Sequence, residues 1–226
     1  MLSGGFSYRT LKDFPEAHAV VEDAETFAGN ATKKALELAR WLSARQFATR
    51  GPGAGELDGK AQPIPESLCL ADDSGLEMDA LAGAPGVHSA RFAALDASGA
   101  PSLTNSSDQD NNAKLLRLLA GVPKERRTAR FRCVIAVTPV LLSGPQNNSA
   151  VCNTDEAELR TQIFEGVCEG RIIANPRGSN GFGYDPLFVP NDFDESFAEL
   201  GEEVKNRISH RARALMELRR SLRREL

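Results

Sequence analysis

Two adjacent carboxylates, Asp72 and Asp73, close a short apolar run, Leu68–Ala71, and Ser74 and Gly75 follow directly. Four apolar residues bounded by turn formers read as a buried strand. Acids at the mouth of such a strand lie at a sheet edge, where ligands of α/β folds bind. Two carboxylates held together repel unless a cation or a shared proton offsets the repulsion. The pattern therefore fits a metal site. Asp, Ser and Gly are also ordinary turn residues, so the same letters read as a turn between two strands, the second from Leu76 to Leu81.

Two further stretches could do chemistry. Asn175–Pro190 reads NPRGSNGFGYDPLFVP, too rich in Gly and Pro for regular structure, yet Phe182, Tyr184 and Phe188 are interleaved. Aromatics on a Gly-rich loop can stack on a nucleobase, or they can pin the loop to the core. Ser209 is placed to cap a helix whose first turn holds His210, Arg211 and Arg213. A helix N-terminus is already positive, so cations there imply a bound anion such as phosphate. Arg219, Arg220, Arg223 and Arg224 sit at the favourable C-terminal end and read as a solvated face.

The elements that must carry these residues are partly visible in the pattern. Phe27, Ala31, Ala35, Leu38 and Leu42 recur at helical spacing, which predicts a helix over Thr26–Arg45 with Lys33 and Lys34 on its polar flank. Glu22, Asp23 and Glu25 precede it, at the end of a weakly patterned stretch, 1–25, that reads as loop with one short strand. Residues 48–66 read as a mobile surface loop. A helix is expected over Asp108–Leu119, capped by Asp108, with Ala113, Leu116 and Leu119 facing inward. Thr128–Leu142 carries the strongest strand signal, alternating first and then continuously apolar. Ala157–Cys168 and Gly170–Ile173 read as two strands broken at Glu169-Gly170. A helical stretch starts at Glu202, and the last helix runs from Ser209 to about Arg224 on a stripe of Ile208, Ala212, Leu215, Leu218 and Leu222.

Composition removes several classes. The 226 residues suffice for a sizeable core, and 41% hydrophobic with 26% charged residues is ordinary for a globular protein. Lys and Arg number 27 against 31 Asp and Glu, a net charge of −4, which argues against a general nucleic-acid or membrane-surface binder. Cys69, Cys133, Cys152 and Cys168 show no metal-ligand spacing and suit a reduced, cytoplasmic protein. The chain shows no signal peptide and no run of about 18 apolar residues. P-loop, dinucleotide-binding GxGxxG and HExxH motifs are absent.

Taken together, ADDSGLEMDALAGAPGVHSARF at Ala71–Phe92, GFGYDPLF at Gly181–Phe188 and SHRARAL at Ser209–Leu215 resemble the inosine triphosphate pyrophosphatase family, also called HAM1-like. TFAGNATKKA at Thr26–Ala35 is similar to that family's first long helix. These enzymes hydrolyse non-standard purine nucleoside triphosphates such as ITP, dITP and XTP. The resemblance implies one α/β domain over residues 1–226, a long twisted mixed sheet flanked by helices around a nucleotide cleft, and a cytoplasmic homodimer. It implies Mg²⁺-dependent cleavage between the α and β phosphates, giving monophosphate and pyrophosphate. Asp73 would hold the metal or activate the attacking water, with Asp72 beside it. Glu22 would be the second ligand and Asp23 the spare. Lys34 would meet the phosphates, and Ser74 would contact the substrate. Phe182, Gly183, Tyr184 and Asp185 would cradle base and sugar, while Lys205, His210 and Arg211 would read the purine 6-oxo edge. Donors aimed at that oxygen are left unpaired against adenine, which discriminates strongly.

The sequence departs from the family in two places. The family opens with an apolar strand and a Ser/Thr-x-Asn-x-x-Lys motif, and nothing before Thr26 matches them. That reading implies a chain truncated at its N-terminus relative to the family, with an apolar sheet edge left exposed. It also opens an alternative, a nucleotide-binding relative impaired in catalysis. Gly29 stands where many relatives carry an acid.

Overall fold

A computed structural model describes residues 7–50, 67–95, 104–140, 158 and 160–223. Most of the expected 48–66 loop, and Cys152, lie outside the described residues. The regular elements are α1 (Phe27–Arg50), β1 (Leu68–Met78), α2 (Asp108–Leu118), β2 (Thr128–Pro139), β3 (Gln162–Ile172), β4 (Phe188–Pro190), α3 (Glu202–Ile208) and α4 (His210–Leu222). The strands form one sheet in the order β1-β2-β3-β4, with β4 antiparallel to β3. Helices with a sheet make this an α/β protein. Contacts divide the chain into two compact units, residues 1–72 with 135–163 and residues 73–134 with 164–226.

In the first unit, the Thr26 hydroxyl accepts the Gly29 N–H at 3.0 Å and so caps α1. Phe27, Ala31, Ala35, Leu36 and Ala39 are its buried stripe. Asn30 is buried too, because its Oδ1 accepts the Ala24 N–H at 2.9 Å. That turn explains Gly29, where a Cβ would lie 2.7 Å from the Ala24 Cβ. The helix runs past the expected Arg45 to Arg50, since the first helix breakers are Gly51 and Pro52. Ahead of it, the expected short strand is replaced by a 3₁₀ turn at Leu11–Asp13, and Phe14 packs edge-on against Trp41 at 5.9 Å. Among the described residues β1 ends the strand order, and Leu68 and Leu70 on it are exposed.

The second unit holds the larger core, built on Leu76, Met78, Leu115, Phe131, Phe188 and Phe197. Three expectations are corrected here. β1 is one continuous strand through Asp72–Gly75, not two strands around a turn. Pairing with β2 supplies backbone partners that a four-residue pattern cannot reveal. β3 is likewise unbroken at Glu169-Gly170. Gly170 sits opposite Pro190, and a Cβ there would fall 2.4 Å from the Val189 carbonyl, so the glycine permits close strand approach. α2 places Leu116 and Leu119 against the core as expected, but Ala113 is exposed, and Asn111 and Leu115 are buried as well. Asn111 tolerates burial because it accepts the Ala93 N–H at 2.8 Å and donates to the Ala90 carbonyl at 3.2 Å.

The last helix begins as expected, with the Ser209 hydroxyl accepting the Ala212 N–H at 3.3 Å. Its most buried residues are Ala214 and Leu218. Gly166 of β3 permits this close seating, because the helix backbone comes to 2.4 Å, at Ala214 N, from where a Cβ would stand.

Candidate functional site

The sequence candidates fall into one group in each unit. In the first, Lys34 Nζ pairs with Glu22 Oε1 at 3.0 Å, and Lys33 Nζ pairs with Asp23 Oδ1 at 2.7 Å. α1 presents successive lysines to the acidic stretch before it. The hydrogen bond from Lys33 holds the Asp23 carboxyl below its ordinary value. The expected metal acid and the expected phosphate lysine thus bond each other.

The group in the second unit is organised by the loop between β3 and β4. Gly181 and Gly183 adopt φ of +81° and +61°, the left-handed region that glycine enters without strain. At Gly181 a Cβ would lie 2.1 Å from Asp185 Oδ2, so a side chain there would displace that carboxylate. Asp185 is the hub of the turn. Its Oδ2 accepts the Phe182 N–H at 2.8 Å and the Lys205 ammonium at 2.6 Å. The side chains of Asp185 and Lys205 are 5% and 21% exposed, so the pair is substantially desolvated.

The two readings of the loop aromatics both apply, to different residues. Phe182 is 64% exposed, whereas Tyr184 is 3% exposed and Phe188 is fully buried. Tyr184 pins the loop, donating from its hydroxyl to the Ser89 carbonyl at 2.9 Å. Burial, with the nearby Asp108 charge, pushes its phenol well above the ordinary tyrosine range. Its ring is therefore not available to a ligand face.

Cations surround the exposed ring. Lys205 Nζ lies 5.4 Å from the Phe182 centroid and 5.3 Å from that of Phe197, and the Arg211 guanidinium lies 6.0 Å from Phe182. Arg211 also donates to Ser74 Oγ at 3.2 Å, which ties α4 to β1 within this unit. His210 stacks on Phe131 with centroids 4.9 Å apart and planes 15° apart. Arg213, read from sequence with these cations, is directed elsewhere and donates to the Val167 carbonyl at 2.7 Å. Asp73 is 8% exposed, and its Oδ1 accepts the Ser74 N–H at 3.0 Å.

Sequence reasoning missed Phe131 and Phe197, which orient His210 and Lys205, and Asp108 and Asn112, which contact Gly183. Locally Phe131 reads as a strand residue, Phe197 as part of a turn and Asp108 as a cap, and Phe131, Asp108 and Asn112 meet partners far along the chain. Among the described residues, no three His, Cys, Asp or Glu side chains form a ready-made metal cluster.

A model described as the Ham1 family matches residues 1–221. The match includes residues before Thr26, where motif reading found no counterpart. A dITP/XTP pyrophosphatase of Opitutus terrae is 46% identical over 212 residues, covering 94% of this chain and 80% of that protein. One from Desulforamulus reducens is 44% identical over 211 residues, covering 93% and 81%. Among solved structures, the Staphylococcus aureus Ham1 protein superimposes with a TM-score of 0.67 at 31% identity, covering 96% of this chain and 86% of that one. A HAM1 protein from Coxiella burnetii gives 0.66 at 32%, covering 94% and 84%.

Proposed function

Since the chain belongs to the Ham1 family, we propose that it hydrolyses non-standard purine nucleoside triphosphates, dITP, XTP and ITP, to the monophosphate and pyrophosphate. The observation that carries this reading is the exposed Phe182 ring bracketed by Lys205 and Arg211. A purine on that ring would present its edge to two cationic donors. A 6-oxo group accepts hydrogen bonds from them, whereas the 6-amino group of adenine leaves them unpaired at a cost of about 1–3 kcal/mol. His210, held flat on Phe131, is the third donor assigned to that edge. Gly183, Tyr184 and Asp185 act by holding the platform in place rather than by contacting the base face.

Asp73 is assigned the metal, or the orientation of the attacking water. A carboxylate this deeply buried is costly unless a cation or donors offset its charge. Mg²⁺ fits the donor chemistry, because it binds through one or two carboxylates plus substrate phosphates and needs no closed protein cage. When bound, it supplies charge neutralisation on the phosphates. Asp72 and Glu22 are the further ligands in this reading, with Asp23 behind them. Lys34 is assigned a phosphate, and engaging it means exchanging its Glu22 partner for substrate oxygen. Ser74 is assigned a substrate contact beside Asp73, on the hydroxyl that Arg211 already reaches.

A homodimer and a cytoplasmic location belong to the same proposal and rest on the resemblance. The buried cysteines Cys69, Cys133 and Cys168 support a reducing compartment. No helix among the described residues is long and apolar enough to cross a membrane.

The test is pyrophosphate release with Mg²⁺ from ITP, XTP and ATP in parallel, for the wild type and Asp73→Asn. Turnover of ITP and XTP but not ATP, lost in Asp73→Asn at unchanged melting temperature, is the expected result. Binding of ITP without turnover by the wild type would favour the impaired relative instead, and equal turnover of ATP would remove the assigned role of the donors.

A further inference from the structure

The loop that presents Phe182 is gripped at Gly183 by two side chains of α2. Asp108 Oδ2 accepts the Gly183 N–H at 2.6 Å, and Asn112 Nδ2 donates to the Gly183 carbonyl at 3.0 Å. Residues i and i+4 of a helix share a face, so both groups reach the same peptide neighbourhood. They satisfy both backbone groups of a residue already restricted by its φ of +61°. The next two residues are also anchored, Tyr184 through Ser89 and Asp185 through Lys205. Every residue after Phe182 in this turn is therefore fixed, while the Phe182 ring itself stays exposed.

Neither α2 side chain is occupied by an ordinary structural duty. The cap of α2 is Ser107, whose hydroxyl accepts the Asp110 N–H at 3.1 Å, so Asp108 is not needed for it. The bonds from α2 to Ala90 and Ala93 are made by Asn111, so Asn112 is not needed for them. Asp108 and Asn112 instead reach a loop more than seventy residues away in sequence.

We propose that Asp108 and Asn112 are positioning residues for base recognition, whose grip on Gly183 sets where the Phe182 ring lies relative to Lys205 and Arg211. The inference rests on the reading of Phe182 as the purine platform. Neither residue meets the reacting phosphates, so their loss acts on substrate affinity and not on the chemical step.

Two measurements on Asp108→Ala, Asn112→Ala and Asp108→Asn test it. The first is amide hydrogen exchange of the protein alone, with Gly183 expected to exchange about tenfold faster in the two alanine variants and β2 amides unchanged. The second is ITP hydrolysis, where KM should rise about tenfold with kcat within about twofold of wild type. Asp108→Asn keeps an acceptor oxygen and should restore both readouts toward wild type. Unchanged Gly183 exchange in the alanine variants overturns the grip. Faster exchange with an unchanged KM, or a kcat loss at constant KM, overturns its role in recognition. A wild type silent on ITP would sink the pyrophosphatase reading, while the exchange arm would still decide whether α2 holds the loop.

Discussion

Gly166 of β3 offers a sharp perturbation of the site without substituting a site residue. A Cβ at this position would lie 2.0 Å from the His210 carbonyl oxygen, 2.4 Å from Ala214 N and 3.0 Å from the Arg213 carbonyl carbon. All three are backbone atoms, so no rotamer change relieves the contact. Restoring an ordinary separation near 3.5 Å requires α4 to retreat by about 1.5 Å at its first turn. That turn carries His210 and Arg211. The Arg211 bond to Ser74 Oγ, now 3.2 Å, would pass hydrogen-bond reach. Its guanidinium, already 6.0 Å from the Phe182 centroid, would leave the range of about 6 Å in which a cation is held by a ring.

The magnitudes separate function from folding. Misplacing a catalytic constellation by about 1 Å can cost around 100-fold in rate. Overpacking of this kind costs about 1–3 kcal/mol of stability, less than the 5–15 kcal/mol that holds a typical domain together. Gly166→Ala should therefore remain folded at 25 °C, lose about 1–3 kcal/mol in urea unfolding, and lose about 100-fold in kcat/KM for ITP. The reasoning fails if a folded Gly166→Ala keeps kcat/KM within about threefold of wild type. It also fails if lost activity merely follows the unfolded fraction seen by circular dichroism.

Other outcomes follow from the same geometry. Phe182→Ala removes an exposed ring, so stability should stay within about 0.5 kcal/mol while ITP affinity falls about tenfold or more, read by calorimetric titration. Lys205→Met strands the buried Asp185 carboxylate and should cost about 3 kcal/mol in urea unfolding, with much of the loss recovered by adding Asp185→Asn. The hydrogen bond from Thr128, assisted by Arg130, depresses the Asp79 carboxyl, so the stability it contributes is present above the unfolded value near 4 and is lost as pH falls through the lower folded value. A Thr128→Val protein should show a shallower acid limb in urea midpoints between about pH 5 and pH 2.

What could be read from sequence was local. The start of α1, the Ser209 cap, the β2 strand and the glycine-aromatic loop each depend on residues a few positions apart, and each is where the pattern placed it. What escaped was decided by a partner. Gly75 and Gly170 look like breaks until the strands are seen to run through them, and at Gly170 a close approach of β4 fills the missing side chain. Ala113 looked inward by periodicity but is exposed, while the polar Asn111 is buried, and its bonds to Ala90 and Ala93 explain why it can be. Phe197 read as a turn residue and Phe131 as a strand residue. Their work on Lys205 and His210 exists only once sheet and helices are assembled.

The continuity of β1 also changes the chemistry first read from its two acids. In a turn, Asp72 and Asp73 could converge on one ion. In an extended strand, successive side chains leave on opposite faces. Their burial agrees, with Asp73 buried and Asp72 only partly so. Adjacency in sequence is therefore not what singles out Asp73. What recommends Asp73 is its setting. It precedes Ser74, which Arg211 reaches from α4, and Arg211 stands over the same Phe182 ring that Lys205 brackets. Asp73 accepts the backbone N–H of the serine whose hydroxyl Arg211 reaches, and this nearness to the cations around an exposed ring is the argument for including it in the site proposed for an anion with a flat base.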